Sequence, residues 1–180
     1  MLVAKQKRKE NIVEYILYLY QVEDLIRAFK LDMELIEQRL VSGYKADEKT
    51  KAAITDWYAN LILMMEREQI REKGHLQFLT NLIADVNEFH LKLMETGKDA
   101  GYTQTFKTVA GLIQELSQKN PEAKSDVEIG ITAVYGFLLL KMQHKEISLD
   151  TTEAIQRISK WLGGLSKLYR DFENDEFSFE

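Results

Sequence analysis

Apolar positions recur along almost the whole chain in steps of three and four, the period of an α-helix with one buried face. Ile12, Tyr15, Leu19, Val22, Ile26 and Phe29 predict a first helix over about residues 7–29. Val13, Ile16, Leu17, Tyr18 and Tyr20 make its middle apolar nearly all round, which places it centrally in a bundle or at an oligomer interface. Asp32 is positioned to cap a short second helix that ends before Gly43, and Asp47 to cap a third that runs to Lys73. Gly74 either stops that helix or is tolerated within it at a cost of about 1 kcal/mol. A fourth helix runs from about Leu76 to Thr96, and Gly97 closes it.

Tyr102, Phe106, Val109, Ile113 and Leu116 predict a fifth helix, ended at Asn120-Pro121 because the residue before proline disfavours the helical region. Ser125-x-x-Glu128 reads as a capping box for a sixth, Val127–Met142, which is apolar all round. Its Gly130, Ala133 and Gly136 allow close approach of a neighbour. That helix is either the buried centre of the monomer or a dimer face. Asp150 is placed to cap a seventh, with the stripe Ile155, Ile158, Leu162, Leu165 and Tyr169, and Gly163-Gly164 as a point of kinking. No internal repeat and no Pro/Ser-rich linker divides the chain. The expectation is an all-α fold, an irregular antiparallel bundle of about seven helices, with the first and sixth most buried. Residues 1–170 form one domain, and residues 171–180 a flexible tail.

Within this pattern two stripes turn polar. Carried across Gly74, one face of the third and fourth helices reads Met65, Glu68, Glu72, His75, Leu79. The first helix has Val13, Leu17, Tyr20, Asp24, Arg27 and Leu31 in phase, with Glu23 four residues before Arg27 and able to pair with it. Polar groups at core positions are costly unless paired or hydrogen-bonded. The two stripes therefore predict an internal cluster of Glu23, Asp24, Arg27, Glu68, Glu72 and His75. Its plain reading is a buried ion-pair and hydrogen-bond network that fixes the register of the bundle. A pocket for a small molecule, lined by these groups with Tyr20 or Tyr58, is the alternative.

A sharper reading is a metal site, with Glu72 and His75 as candidate ligands. Glu72-x-x-His75 has the spacing with which ferritin-like di-iron proteins present a carboxylate and an imidazole on one helix face. Such sites need a second copy. Asn87 stands three residues before His90, and Lys141 three before His144. With 19 Glu in 180 residues, one chance Glu-x-x-His is unsurprising. Arg71 and His75 evoke helical toxin ribonucleases, but their spacing is too short and no basic groove is evident. Nothing matches a nucleophile elbow, a Walker loop or a dinucleotide fingerprint. No cofactor and no catalytic residue is expected.

Composition narrows the choices further. The chain has no Cys, so disulfides, thiolate zinc sites and a Cys nucleophile are excluded. The formal charge is −5, and five acids lie in the last ten residues: Asp171, Glu173, Asp175, Glu176 and Glu180. Residues 1–170 are thus formally neutral, a poor basis for nucleic-acid binding, which depends on neutralising phosphates. Lys5, Lys7, Arg8 and Lys9 make a basic head. It resembles the start of a signal peptide, but Glu10 and Glu14 interrupt it and no cleavage site follows. No run is long enough for a membrane span, and a cytoplasmic protein is expected. The tail alternates acids with Phe172, Phe177 and Phe179, the composition of a docking motif for a protein partner or of a disordered end.

The stretch from Lys7 to Ile12, with Tyr15-Ile16-Leu17-Tyr18 and Gln21 to Arg27, resembles the domain-of-unknown-function family numbered 4924, from Bacteroidota. Met65-Glu66-Arg67-Glu68 and Glu72-Lys73-Gly74-His75-Leu76 are similar to the same family. The resemblance implies a small cytosolic bacterial helical protein and carries no activity to transfer. The functional expectation is a non-enzymatic interaction or scaffold protein that pairs as a homodimer. A metal- or small-ligand-binding protein, an oxidoreductase or hydrolase built on the carboxylate and His cluster, is the alternative.

Overall fold

The computed structural model describes residues 2–179. Among them there are nine α-helices and no strand: α1 (Leu2–Glu10), α2 (Ile12–Ala28), α3 (Met33–Arg39), α4 (Glu48–Arg67), α5 (Gln77–Thr96), α6 (Ala100–Lys107), α7 (Ala110–Lys119), α8 (Asp126–Met142) and α9 (Leu149–Glu173). A 3₁₀ turn, Val41–Gly43, follows α3.

The count exceeds the expected seven because two predicted helices are broken by local chemistry. Asn11 adopts an extended backbone, and its side chain accepts the Glu14 N–H at 3.0 Å. That is an N-cap, so a new helix starts at Ile12 where the apolar stripe runs on without a break. The fifth predicted helix divides near Thr108, where the Val109 N–H bonds to the Phe106 carbonyl in a tight 3₁₀ pattern. Elsewhere the caps follow the sequence: Asp32 accepts from the Leu35 N–H, Asp47 from Thr50, and Gly97 closes α5 in the left-handed region. One cap differs. Ser148, not Asp150, starts α9 by accepting the Thr151 N–H at 3.2 Å.

The third predicted helix also ends early. Helix α4 stops at Arg67, Gln69 takes a positive φ of 59°, and Gly74 one of 96°. Residues 68–76 are therefore a loop, and the stripe carried across Gly74 is not a continuous helical face.

The core gathers α2, α5, the first half of α8, and α9. Trp161 is fully buried at its centre. A Cβ added at Gly130 would lie 2.8 Å from the Trp161 ring, so glycine is what lets α8 and α9 meet there. Gly136 faces open space, and α9 runs through Gly163-Gly164 as one helix. Helix α8 divides in character. Its buried residues, Val127, Ile129, Gly130, Ile131, Val134 and Tyr135, all lie in its first ten positions. Phe137, Leu138 and Leu139 are half-buried, and Leu140 and Met142 are exposed at 41% and 66%. The helix expected to be among the most buried is thus fully buried only in its first half.

The segment expected as a free tail from residue 171 begins inside α9. Beyond it, Phe177 and Phe179 pack with Phe172 around Phe89, and Lys92 lies over the Phe179 ring. Glu180 lies outside the described residues. No helix of the described residues is long and apolar enough to cross a membrane.

Candidate functional site

Five of the six residues singled out in the sequence meet where α2 faces the loop at residues 68–76. Glu23 is 1% exposed. One of its oxygens accepts from His75 Nδ1 at 2.6 Å and the other from the Leu76 N–H at 2.8 Å. Leu76 stands at the N-cap of α5 and has no capping side chain of its own. Glu68 completes the cap by accepting the Gln77 N–H at 2.7 Å. Two carboxylates from outside the helix thus satisfy donors at its positive end, where negative charge is favoured.

Arg27 holds the same loop from below. Its Nε donates to the Ile70 carbonyl at 3.3 Å, and a terminal nitrogen donates to the Gly74 carbonyl. Its other terminal nitrogen donates to Asp24 at 2.8 Å. The arginine therefore pairs with Asp24 and not with Glu23, which is committed to His75. Asp24 also accepts from the Tyr135 hydroxyl of α8. The His75 ring stacks on Tyr20 at 3.5 Å between centroids and 10° between planes. Burial, with Glu23 and Glu128 adding to it, pushes the Tyr20 phenol well above its ordinary range. Burial together with the Asp24 contact does the same for Tyr135. Both phenols are neutral partners at any physiological pH.

Glu72 does not join this group. It is exposed on the loop and has no hydrogen-bond or ion-pair partner among the described residues. The reason is the break at Arg67: once the helix ends, three-residue spacing no longer puts Glu72 and His75 on one face. Among the described residues, no group of three or more His, Cys, Asp or Glu is placed to hold a metal ion.

A second polar cluster escaped the sequence reading. His90 on α5 is 1% exposed. Its Nδ1 lies 2.5 Å from the Tyr102 hydroxyl of α6, which also accepts from Trp161 Nε1 of α9 at 2.9 Å. Trp161 can only donate there. The arrangement that satisfies every donor sends the Tyr102 proton to His90 Nδ1 and leaves a proton on Nε2, facing Asp126 at 3.8 Å. Burial pulls the His90 pKa below the ordinary imidazole value, and Asp126 opposes that only in part. Phe106 and Trp161 pack edge-on against the ring. The only signal in the sequence was a His on the apolar stripe of α5, a position that reads equally well as ordinary core.

Chemically, the buried part of the first cluster is occupied: both Glu23 oxygens, both ends of Arg27 and both Asp24 oxygens have protein partners, while Glu68 and the far edge of His75 face outward. The second is buried and enclosed by aromatic rings. Each joins elements distant in sequence: α2 to the start of α5 in one, and α5, α6, α8 and α9 in the other. No curated protein and no solved structure matches the chain. A family model described as a domain of unknown function, DUF4924, matches residues 1–176, and the chain belongs to that family.

Proposed function

We propose that this protein is a non-enzymatic helical interaction protein, and that it pairs with a second copy of itself through the C-terminal half of α8. The observation that carries this reading is the change of environment along α8. The helix has no polar face, yet full burial is confined to its first half. In its second half Phe137, Leu138 and Leu139 are half-buried and Leu140 and Met142 exposed, and Leu149 at the start of α9 is 80% exposed. Solvated apolar surface of this kind is what a buried interface removes.

A second copy is the occupant that supplies a matching apolar surface. Lys141 lies over the Phe137 ring at 4.8 Å, and Glu14, which lines the groove beside Leu138, is paired with Lys7 at 2.8 Å. A twofold axis through the patch sets this apolar surface against its own copy, as a self-complementary interface requires. An apolar groove of about 260 Å³ beside it, between Leu17, Val134, Leu138 and Leu162, offers a place for a partner side chain. The engagement of Glu23, Asp24 and Arg27 by protein partners supports the non-enzymatic part of the reading.

The test is sedimentation of the full chain beside a Leu140→Glu/Met142→Glu variant. The expected result is a wild-type mass of about twice the 21.0 kDa chain and a monomeric variant with unchanged helix content. A wild type that stays monomeric at high micromolar concentration, or a variant that still pairs, overturns the proposal.

A further inference from the structure

A groove of about 600 Å³ lies between α1, the start of α2 and the middle of α4. That volume is within the range of small-molecule sites, roughly 300–1,000 Å³. Its floor is aromatic: Tyr15 and Trp57 are both half-buried, and Trp57 is held edge-on against Tyr58 at 5.0 Å. Its rim is basic: Lys5, Arg8 and Lys9 all line it. No acidic side chain is among the described residues that do.

The three cations are not equivalent. Arg8 is already committed, with two nitrogens on the Glu173 carboxylate at 2.7 and 2.8 Å. That clamp ties α1 to the end of α9 and fixes one wall of the groove. Lys5 and Lys9 stand one turn apart on α1, are exposed, and have no acidic partner among the described residues. Burial raises the Tyr15 phenol, so it remains a neutral hydroxyl and adds no repulsion toward an anion. An aromatic floor under two uncommitted ammonium groups is complementary to one kind of molecule, an apolar body that ends in a negative charge.

We propose that this groove binds a small organic acid, with its apolar body against Trp57 and Tyr15 and its carboxylate between Lys5 and Lys9. The inference is independent of self-association, since the groove lies on α1 and α4 and the proposed pairing face on α8. Both aliphatic and aromatic acids have this chemistry, and the probes separate them.

The test uses the full chain and follows Trp57 emission while decanoate or 2-naphthoate is added, with decanol as the uncharged control. A Trp57→Phe variant assigns the signal, because Trp161 is the only other tryptophan. The expected result is saturable binding of one or both acids, one per chain, at least about tenfold tighter than decanol. A Lys5→Gln/Lys9→Gln variant, which removes both charges and keeps helix propensity, is expected to bind about tenfold more weakly with unchanged circular dichroism. Decanol that binds as tightly as the acids, a double variant that binds them equally well, or no saturable binding of either acid overturns the proposal.

Discussion

Glu23 and His90 are buried to the same degree, each 1% exposed, yet they are held in opposite ways. Glu23 carries a carboxyl group into the protein and is surrounded by donors: an imidazole, a backbone N–H and, one turn away, the Arg27 guanidinium that grips the same loop. His90 is held neutral by its surroundings, between a phenol, an indole and a phenyl ring. The first cluster fastens a loop that has no apolar stripe of its own. The second locks together helices that already pack. A charge is used where the backbone must be pinned through its own N–H and C=O groups. A neutral polar relay is used where packing has excluded water and an unpaired group costs most.

That difference predicts how each cluster breaks. Glu23→Ala is expected to have the largest effect, a loss of about 3 kcal/mol in denaturant unfolding, because it strands the buried Leu76 N–H and removes the acceptor of the half-buried His75. Tyr102→Phe removes one oxygen and leaves the Trp161 N–H and His90 Nδ1 without a partner. A loss of about 2 kcal/mol is expected, and a neutral result shows that the relay is not formed. Gly130→Ala drives a methyl into Trp161 and is expected to lower stability by about 1–3 kcal/mol. Gly136→Ala, in the open half of α8, is expected to raise it by up to about 1 kcal/mol. Thermal melts of the pair check whether the two halves of α8 differ as described.

The second cluster also responds to pH. The folded His90 has a lowered pKa, so below about 6.5 the unfolded chain binds a proton that the folded chain resists. Its contribution is complete above that pH and declines as the pH falls toward the lowered value. Unfolding midpoints at about pH 7.5 and 5.5 are expected to differ more in the wild type than in His90→Gln. An identical difference in both means that His90 is not the group responsible. The smallest effect is expected at Glu72. Glu72→Gln changes stability by less than about 0.5 kcal/mol, as for any exposed site. A large loss there places Glu72 back in the cluster.

The same contrast explains what was legible in the sequence. Charged residues in phase with a core stripe violate the apolar pattern, so Asp24, Arg27, Glu68 and His75 stand out from their spacing, while Glu23 stands out only by its four-residue spacing to Arg27, with which it does not pair. Glu72 also stands out by its phase and lies elsewhere, because the stripe that includes it crosses a loop. Gly74 signals that break without deciding it, and the helix in fact ends earlier, at Arg67. His90, Tyr102 and Trp161 violate no pattern, since aromatic and imidazole rings suit a stripe whether or not their polar atoms meet. Asn11 shows the limit from the other side. Its cap splits the first helix while the apolar spacing continues through it, so periodicity alone merges α1 and α2 into one. The all-helical class was legible throughout because it rests on many stripes together and on no single residue.

Glu23 and His75 form one fastening between α2 and the loop that leads into α5, and a double-mutant cycle measures whether they act together. Unfolding free energies of the wild type, Glu23→Ala, His75→Ala and the double variant give the coupling between the two positions. The predicted result is that the double variant loses less than the sum of the single losses, by about 1–2 kcal/mol. Losses that add to within about 0.5 kcal/mol contradict the claim, because residues that do not interact behave in that way.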